Sequence, residues 1–179
     1  MPTGPSFQPR WRPLAAARPD MSPRWWEWLA SQDSLTDRLI AAGQPRRFRV
    51  RLLDQRHGRP RQDEAEALGL GEHQHAWLRE VALCLDERPW VLARSVSPLG
   101  SPTDQHRLEW LGERSLGSWL FAQSDLQRSP IEVCAGGGPF AGAQGPWGRR
   151  SVLRHQRITV LVQEFFQQAM VDDLAMPSR

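Results

Sequence analysis

"AWLREVALCLDERPWVLARSVSP", residues 76–98, reads as two β-strands joined by a tight turn. Alternate residues from Trp77 set Trp77, Arg79, Val81, Leu83 and Leu85 on one face. An arginine in the middle of that apolar stripe demands a partner, because a buried unpaired charge costs several kcal/mol. An anion is therefore expected on that face. Pairing Leu85 with Trp90 across "DERP" sets Val81 opposite Arg94 and Arg79 opposite Val96. In that register Arg94 shares Arg79's face, one diagonal step away, beside Trp90, Leu92 and Val96. Two inward arginines on one face point to a site.

The same puzzle returns near the end of the chain with the opposite sign. In "ITVLVQEFF" (158–166) the alternation gives Ile158, Val160, Val162, Glu164 and Phe166 on one face. Two readings are open. Arg79 and Glu164 either pair with each other inside the sheet, as structural ion pairs do, or stand apart and grip opposite ends of a polar ligand.

Outward from these strands the pattern is mixed. Ser22 caps a helix whose first position suits Pro23, and Ser34 caps a second one that carries Leu35, Leu39 and Ile40 and ends at Gly43. An amphipathic basic strand follows, with Arg47, Arg49 and Arg51 alternating with Phe48, Val50 and Leu52. Then come a polar loop and a brief helical or irregular piece around "EAEALGLG". Helical spacing reappears in "TDQHRLEWLGE" and "SLGSWLFAQ", and strands in "SPIEVCAGG" and "GRRSVLRH". The link "AGGGPFAGAQGPWG" lacks the lysine and hydroxyl residue of a phosphate-binding loop and reads as a flexible hairpin connection. Hairpin-linked strands with helices at the start and middle predict an α+β fold: one domain, an antiparallel sheet, helices packed on it.

At 179 residues the chain suits a single domain able to bury a sizeable core. The expected division is a loosely ordered tail over 1–20, the domain over 21–168, and a C-terminal tail over 169–179. No stretch has the apolar length of a membrane span or a signal-peptide core. Cys84 and Cys134 fit no metal or redox spacing and read as reduced core residues of a cytoplasmic protein. His73 and His75 have no third ligand nearby, so no metal is expected. The net charge is +3, but every basic residue is arginine and tyrosine is absent, a bias that GC-rich codon usage produces. The basic strand offers no aromatic residue on its charged face to stack bases, so no nucleic-acid partner is expected.

"WLREVALCLDERPWVLARSVSP", "LGERSLGSWLF", "WGRRSVLR" and "VLVQEFF", in this order and at these intervals, resemble the chorismate pyruvate-lyase family, the first committed enzymes of bacterial ubiquinone synthesis. The similarity runs from about Trp25 to Phe166; the glycine-rich link at 135–145 looks longer than the family's, and no motif follows Phe166. The resemblance implies a buried site closed by flaps, with no metal or organic cofactor. The family's key arginine and glutamate match Arg79 and Glu164, and two further ligand contacts match Leu116 and Leu35. The usual residue at the Leu35 position is methionine, which a backbone-amide contact would tolerate.

The implied reaction answers the opening question. Chorismate carries a ring carboxylate and an enolpyruvyl carboxylate. Loss of the enolpyruvyl group from C3 and the hydrogen from C4 aromatises the ring, giving 4-hydroxybenzoate and pyruvate. Arg79 would offer a planar fork to the ring carboxylate, and Glu164 would accept from, or share a proton with, the C4 hydroxyl. For the second carboxylate Arg94 is the first candidate by face and register, with Arg149 behind it; Arg149 and Arg150 equally read as a structural pair. A monomer acting on a small molecule is expected. The competing class is a non-enzymatic effector-binding domain of related fold, as in some bacterial regulators. Such regulators carry a DNA-binding helix-turn-helix, and the about 45 residues before the basic strand are too few and too tryptophan-rich to form one.

Overall fold

The computed structural model describes residues 7–179; the first six residues of the expected N-terminal tail lie outside the described residues. In chain order the elements are β1 (Arg12–Pro13), α1 (Leu14–Ala17), α2 (Pro23–Leu29), α3 (Leu35–Gly43), β2 (Phe48–Gly58), α4 (Gln62–Leu68), β3 (Ala76–Leu85), β4 (Arg88–Pro98), α5 (Pro102–Glu109), α6 (Leu116–Phe121), β5 (Gln127–Arg128), β6 (Glu132–Ala135), β7 (Trp147–His155), β8 (Ile158–Phe166) and α7 (Gln168–Leu174). Every strand pairing is antiparallel, in the order β1-β6-β7-β8-β4-β3-β2, with β5 added to β7. The fold is α+β.

The capping residues act as their chemistry dictates. Ser22 accepts from the Trp25 amide and Ser34 from that of Asp37, and Ser101 and Ser115 do the same for α5 and α6. Two layers of helices cover the sheet. On one face α2, α3 and α7 pack over Val50, Val81, Leu83, Ala93 and Phe166, while α5 and α6 pack over Trp77, Leu153, Ile158 and Val160. On the other face Leu78, Val96, Val152 and Leu161 meet Ala67 and Leu68 of α4.

Three expectations about order need revising. Residues 12–13 pair with β6 and residues 14–20 are helical, so the described part of the N-terminal segment is folded onto the sheet edge. The expected C-terminal tail holds α7, whose Met170 and Val171 are buried, and the Trp25 indole donates to the Pro177 carbonyl at 2.7 Å. The glycine-rich link does connect a hairpin, but it is packed rather than loose. Gly138 has φ +98°, and a Cβ there would lie 2.6 Å from the Phe165 ring, so only glycine fits.

The central hairpin departs from the expected register. Asp86 and Glu87 both have positive φ and form a two-residue turn between Leu85 and Arg88. Cys84 then pairs with Pro89 but Leu83 with Val91, which leaves Trp90 as an extra residue. Beyond the bulge Arg79 faces Ser95 and Glu80 faces Arg94. The shift is one residue, and it moves Arg94 to the face opposite Arg79.

Candidate active site

Where the two helical layers of the first face meet, the sheet floors an enclosed cavity. Two rows of paired residues cross it. Arg79 of β3, Ser95 of β4, Val162 of β8 and Ser151 of β7 stand side by side, and next to them run Val81, Ala93, Glu164 and Arg149. Leu35 and Thr36 of α3, Leu116 and Gly117 of α6, Phe121 and Arg128 complete the walls. The cavity has a volume of only about 40 Å³. A much roomier cleft, about 720 Å³, lies elsewhere among Phe7, Asp63 and Phe140, but it is open and lacks converging buried charges.

Arg79 is 2% exposed and has no carboxylate partner among the described residues. Its Nη2 donates to the carbonyls of Gly112 (2.7 Å) and Arg114 (2.8 Å) in the turn between α5 and α6, and its buried Nε donates to nothing among the described residues. Burial away from water lowers its pKa to about 10. It is still a cation at neutral pH, and one that an arriving anion would relieve.

Glu164 does not pair with Arg79. Its Oε2 accepts from Arg149 Nε at 2.6 Å, across the strand pair that sets the two residues opposite each other. Arg149, 1% exposed, spends Nη1 on the carbonyls of Trp28 (2.9 Å), Leu29 (3.4 Å) and Ser31 (3.1 Å) at the C-terminal end of α2. The other carboxylate oxygen of Glu164 has no donor among the described residues, and the side chain reaches the cavity. Arg150 points to the opposite face, onto Glu132 and Asp63, so the two adjacent arginines are not one structural pair.

Leu35 and Leu116 are the first residues of α3 and α6. Their capping serines take the amides of Asp37 and Ser118, and neither leucine amide donates to a backbone acceptor among the described residues. A 2.7 Å hydrogen bond between the hydroxyls of Thr36 and Ser115 ties the two helix starts together. The cavity wall thus brings together a guanidinium with an unspent Nε, a carboxylate with an unspent oxygen and two helix starts whose first amides are unspent.

Arg94 is absent from this cavity. On the opposite face it donates to Glu64 from Nε (2.5 Å) and Nη2 (3.0 Å) and to Glu80 from Nη1 (2.7 Å). The bulge at Trp90 is the reason. Arg128 is the cavity residue that alternation missed: it sits on the two-residue strand β5, too short to show a period. The only available signal was its position just before "SPIEV", a basic residue entering a strand. His73 and His75 are exposed in the loop before β3, Cys84 and Cys134 are buried and unpaired, and no cluster of three metal-ligating side chains occurs among the described residues. No helix of the described chain is long and apolar enough to cross a membrane.

Fold and cavity together define a class: an α+β domain enclosing a cationic pocket between an antiparallel sheet and its covering helices. Solved structures share the fold alone; the effector domain of PhnF from Mycobacterium smegmatis superposes with a TM-score of 0.52 at 15% identity, covering 77% of this chain and 90% of that one. Sequence comparison is more specific. The chorismate lyase family model matches residues 11–173. A probable chorismate pyruvate-lyase from Chromohalobacter salexigens is 56% identical over 96% of this chain and 95% of its own. Another from Pseudomonas aeruginosa is 41% identical over 85% and 88%. The chain belongs to the chorismate lyase family.

Proposed function

We propose that the protein is a chorismate pyruvate-lyase, a carbon–oxygen lyase that converts chorismate to 4-hydroxybenzoate and pyruvate and supplies the aromatic ring of ubiquinone in the cytoplasm. The observation that carries this reading is the separation of Arg79 from Glu164. One keeps an unanswered positive charge and the other a free oxygen, on one wall of one cavity.

The ring carboxylate is assigned to Arg79, whose Nε is unspent and whose fork becomes complete when Nη2 exchanges the Gly112 and Arg114 carbonyls for the ligand, with the amides of Leu35 and Leu116 as further donors. A backbone contact explains why Leu35 can replace the family's methionine. The C4 hydroxyl is assigned to the free oxygen of Glu164, held in place by Arg149. In the reaction the C4 proton leaves, its electron pair forms the C3–C4 π bond, and the C3–O bond breaks with its pair on oxygen. The enolate gains one proton at carbon and becomes pyruvate, so protons balance. Aromatisation supplies the drive. The residues need to bind, orient and exclude water, which requires neither metal nor organic cofactor.

Ligand pockets commonly measure several hundred Å³, so a cavity of about 40 Å³ must expand to admit a ring. The turn from Gly112 to Arg114 is the part of the roof that Arg79 itself holds, and it is assigned the role of flap. An effector-binding domain of related fold is the second reading, favoured only by the shape of the sheet. Purified protein is to be mixed with chorismate and followed by absorbance, with pyruvate measured in parallel and a chelator added. Equal amounts of 4-hydroxybenzoate and pyruvate, unaffected by chelation, are expected. Binding without turnover would favour the effector reading, and prephenate as product would overturn the assignment.

A further inference from the structure

Chorismate is a dianion, and the assignments above leave its enolpyruvyl carboxylate without a partner. Arg94 cannot serve, since its guanidinium lies on the other face between two glutamates. Arg149 lies close enough, but its charge is matched by Glu164 and its Nη1 is taken up by three carbonyls.

Arg128 is differently placed. It hangs from β5, paired with β7, and its Nε donates to Ser151 Oγ at 2.8 Å. Ser151 ends the row that begins at Arg79, so the two guanidiniums enter the cavity from opposite ends of one line of paired residues. Three strand spacings, roughly 14 Å, separate the backbones of β3 and β7, a gap two long arginine side chains can narrow to the length of a small diacid. Arg128 Nη1 donates to the Ser31 carbonyl at 3.2 Å, the same oxygen that Arg149 reaches. That shared acceptor sets Arg128 at the Glu164 end. Its Nη2 donates to nothing among the described residues, and no carboxylate pairs with it. Burial, and then the repulsion of Arg149, lower its pKa to about 10 against the pull of Glu164.

The substrate's own connectivity selects the same end. The enolpyruvyl ether is on the carbon next to the hydroxyl, so an arm beginning beside Glu164 reaches Arg128 and not Arg79. We propose that Arg128 binds the enolpyruvyl carboxylate of chorismate, a contact that the product 4-hydroxybenzoate cannot make. This inference rests on the lyase reading of the site. Arg128 also faces the oxygen on which negative charge gathers as the C3–O bond breaks, so its cation helps the arm depart.

The test compares two ligands in one variant. Arg128→Gln should raise KM for chorismate at least about tenfold, while the Kd of 4-hydroxybenzoate, read from tryptophan fluorescence, changes by less than about twofold. Arg128→Lys, which restores the charge, should recover part of the loss. Melting temperature with and without 4-hydroxybenzoate controls for folding, since Arg128 also braces Ser31 and Ser151. Equal weakening of both ligands, or unchanged chorismate kinetics in a folded variant, would show that Arg128 only fastens the strand edge. Wild-type protein that binds 4-hydroxybenzoate but never turns over chorismate would remove the lyase reading itself, and this inference with it. An active wild type with an indifferent Arg128 removes the inference alone.

Discussion

Arg79 and Arg94 occupy adjacent strands of one hairpin, are almost equally buried, and live in opposite electrostatic worlds. Arg94 is 5% exposed and is clasped by Glu64, itself fully buried, with Glu80 completing the clasp. Glu64 accepts in addition from the Arg61 amide and from Gln163 Nε2. Burial works against the charge of Arg94, but the hydrogen bonds and charges of Glu64 and Glu80 outweigh it and raise its pKa. For Arg79 nothing opposes burial, and the pKa falls. A satisfied arginine is part of the architecture. An unsatisfied one is free to take the role proposed for Arg79, and meanwhile two carbonyls of the turn between α5 and α6 take part of its charge.

The contrast can be broken from either side, and the largest effect is expected on the satisfied one. Glu64→Ala leaves Arg94 with only the partly exposed Glu80 and should cost about 3–5 kcal/mol of stability in denaturant titrations, with turnover per folded molecule unchanged. Its pH dependence has a defined sign. Burial alone would raise the Glu64 pKa, but Arg94, the Arg61 amide and Gln163 bring it below its ordinary 4.5. The stabilisation is therefore complete above that ordinary value and fades as pH falls through the lower folded one, so wild type and variant should converge in acid.

On the cavity side the order reverses, with activity lost and fold kept. Glu164→Gln should slow turnover by about 10²-fold yet cost only about 1–2 kcal/mol of stability, because Arg149 retains an amide oxygen and three backbone carbonyls. Unfolding as severe as that of Glu64→Ala, with activity following the folded fraction, would mean that Glu164 is merely the counter-ion of Arg149. Arg79→Lys keeps the charge and loses the fork; kcat/KM for chorismate should fall by about 2 kcal/mol or more in transition-state binding. Wild-type kinetics there would reduce Arg79 to a fastener of the Gly112–Arg114 turn. Leu35→Met should do least. Product affinity should stay as it is and stability should move by less than about 1.5 kcal/mol, whereas a marked gain in affinity would mean that the side chain, and not the amide, meets the ligand.

The sequence disclosed the fold class and the inner faces of β3 and β8, because period-two alternation is a local property and Trp77, Arg79, Val162 and Glu164 obey it. The serine caps were equally legible, since each needs only its own turn of helix. What escaped were features set by tertiary contact. Alternation cannot show an unpaired residue, so the bulge at Trp90 put Arg94 on the wrong face. Nothing in "QDEAEAL" sets Glu64 apart from its neighbouring charges, yet it is fully buried, because α4 lays it against the sheet. Arg128 had no strand long enough to reveal a face, and α7 carried no motif.

That last helix has a bearing on the chemistry it never touches. The carbonyl of Trp90 accepts from the Gln167 amide at 2.8 Å, and the Trp90 indole donates to Asp173 of α7 at 2.8 Å. The end of the chain thus holds the odd residue whose presence fixes the parity of the hairpin. Shortening the protein by its last dozen or so residues removes Asp173 and exposes a tryptophan that is now 0% exposed, although no cavity residue is cut away. Deletion of Trp90 is harsher still: every position of β4 beyond it exchanges sides, swinging Arg94 into the cavity and Ser95 out of it. The sidedness of β4 therefore tolerates a substitution at Trp90 better than a single-codon deletion there, and part of what holds that residue in place comes from α7, almost eighty residues further along the chain.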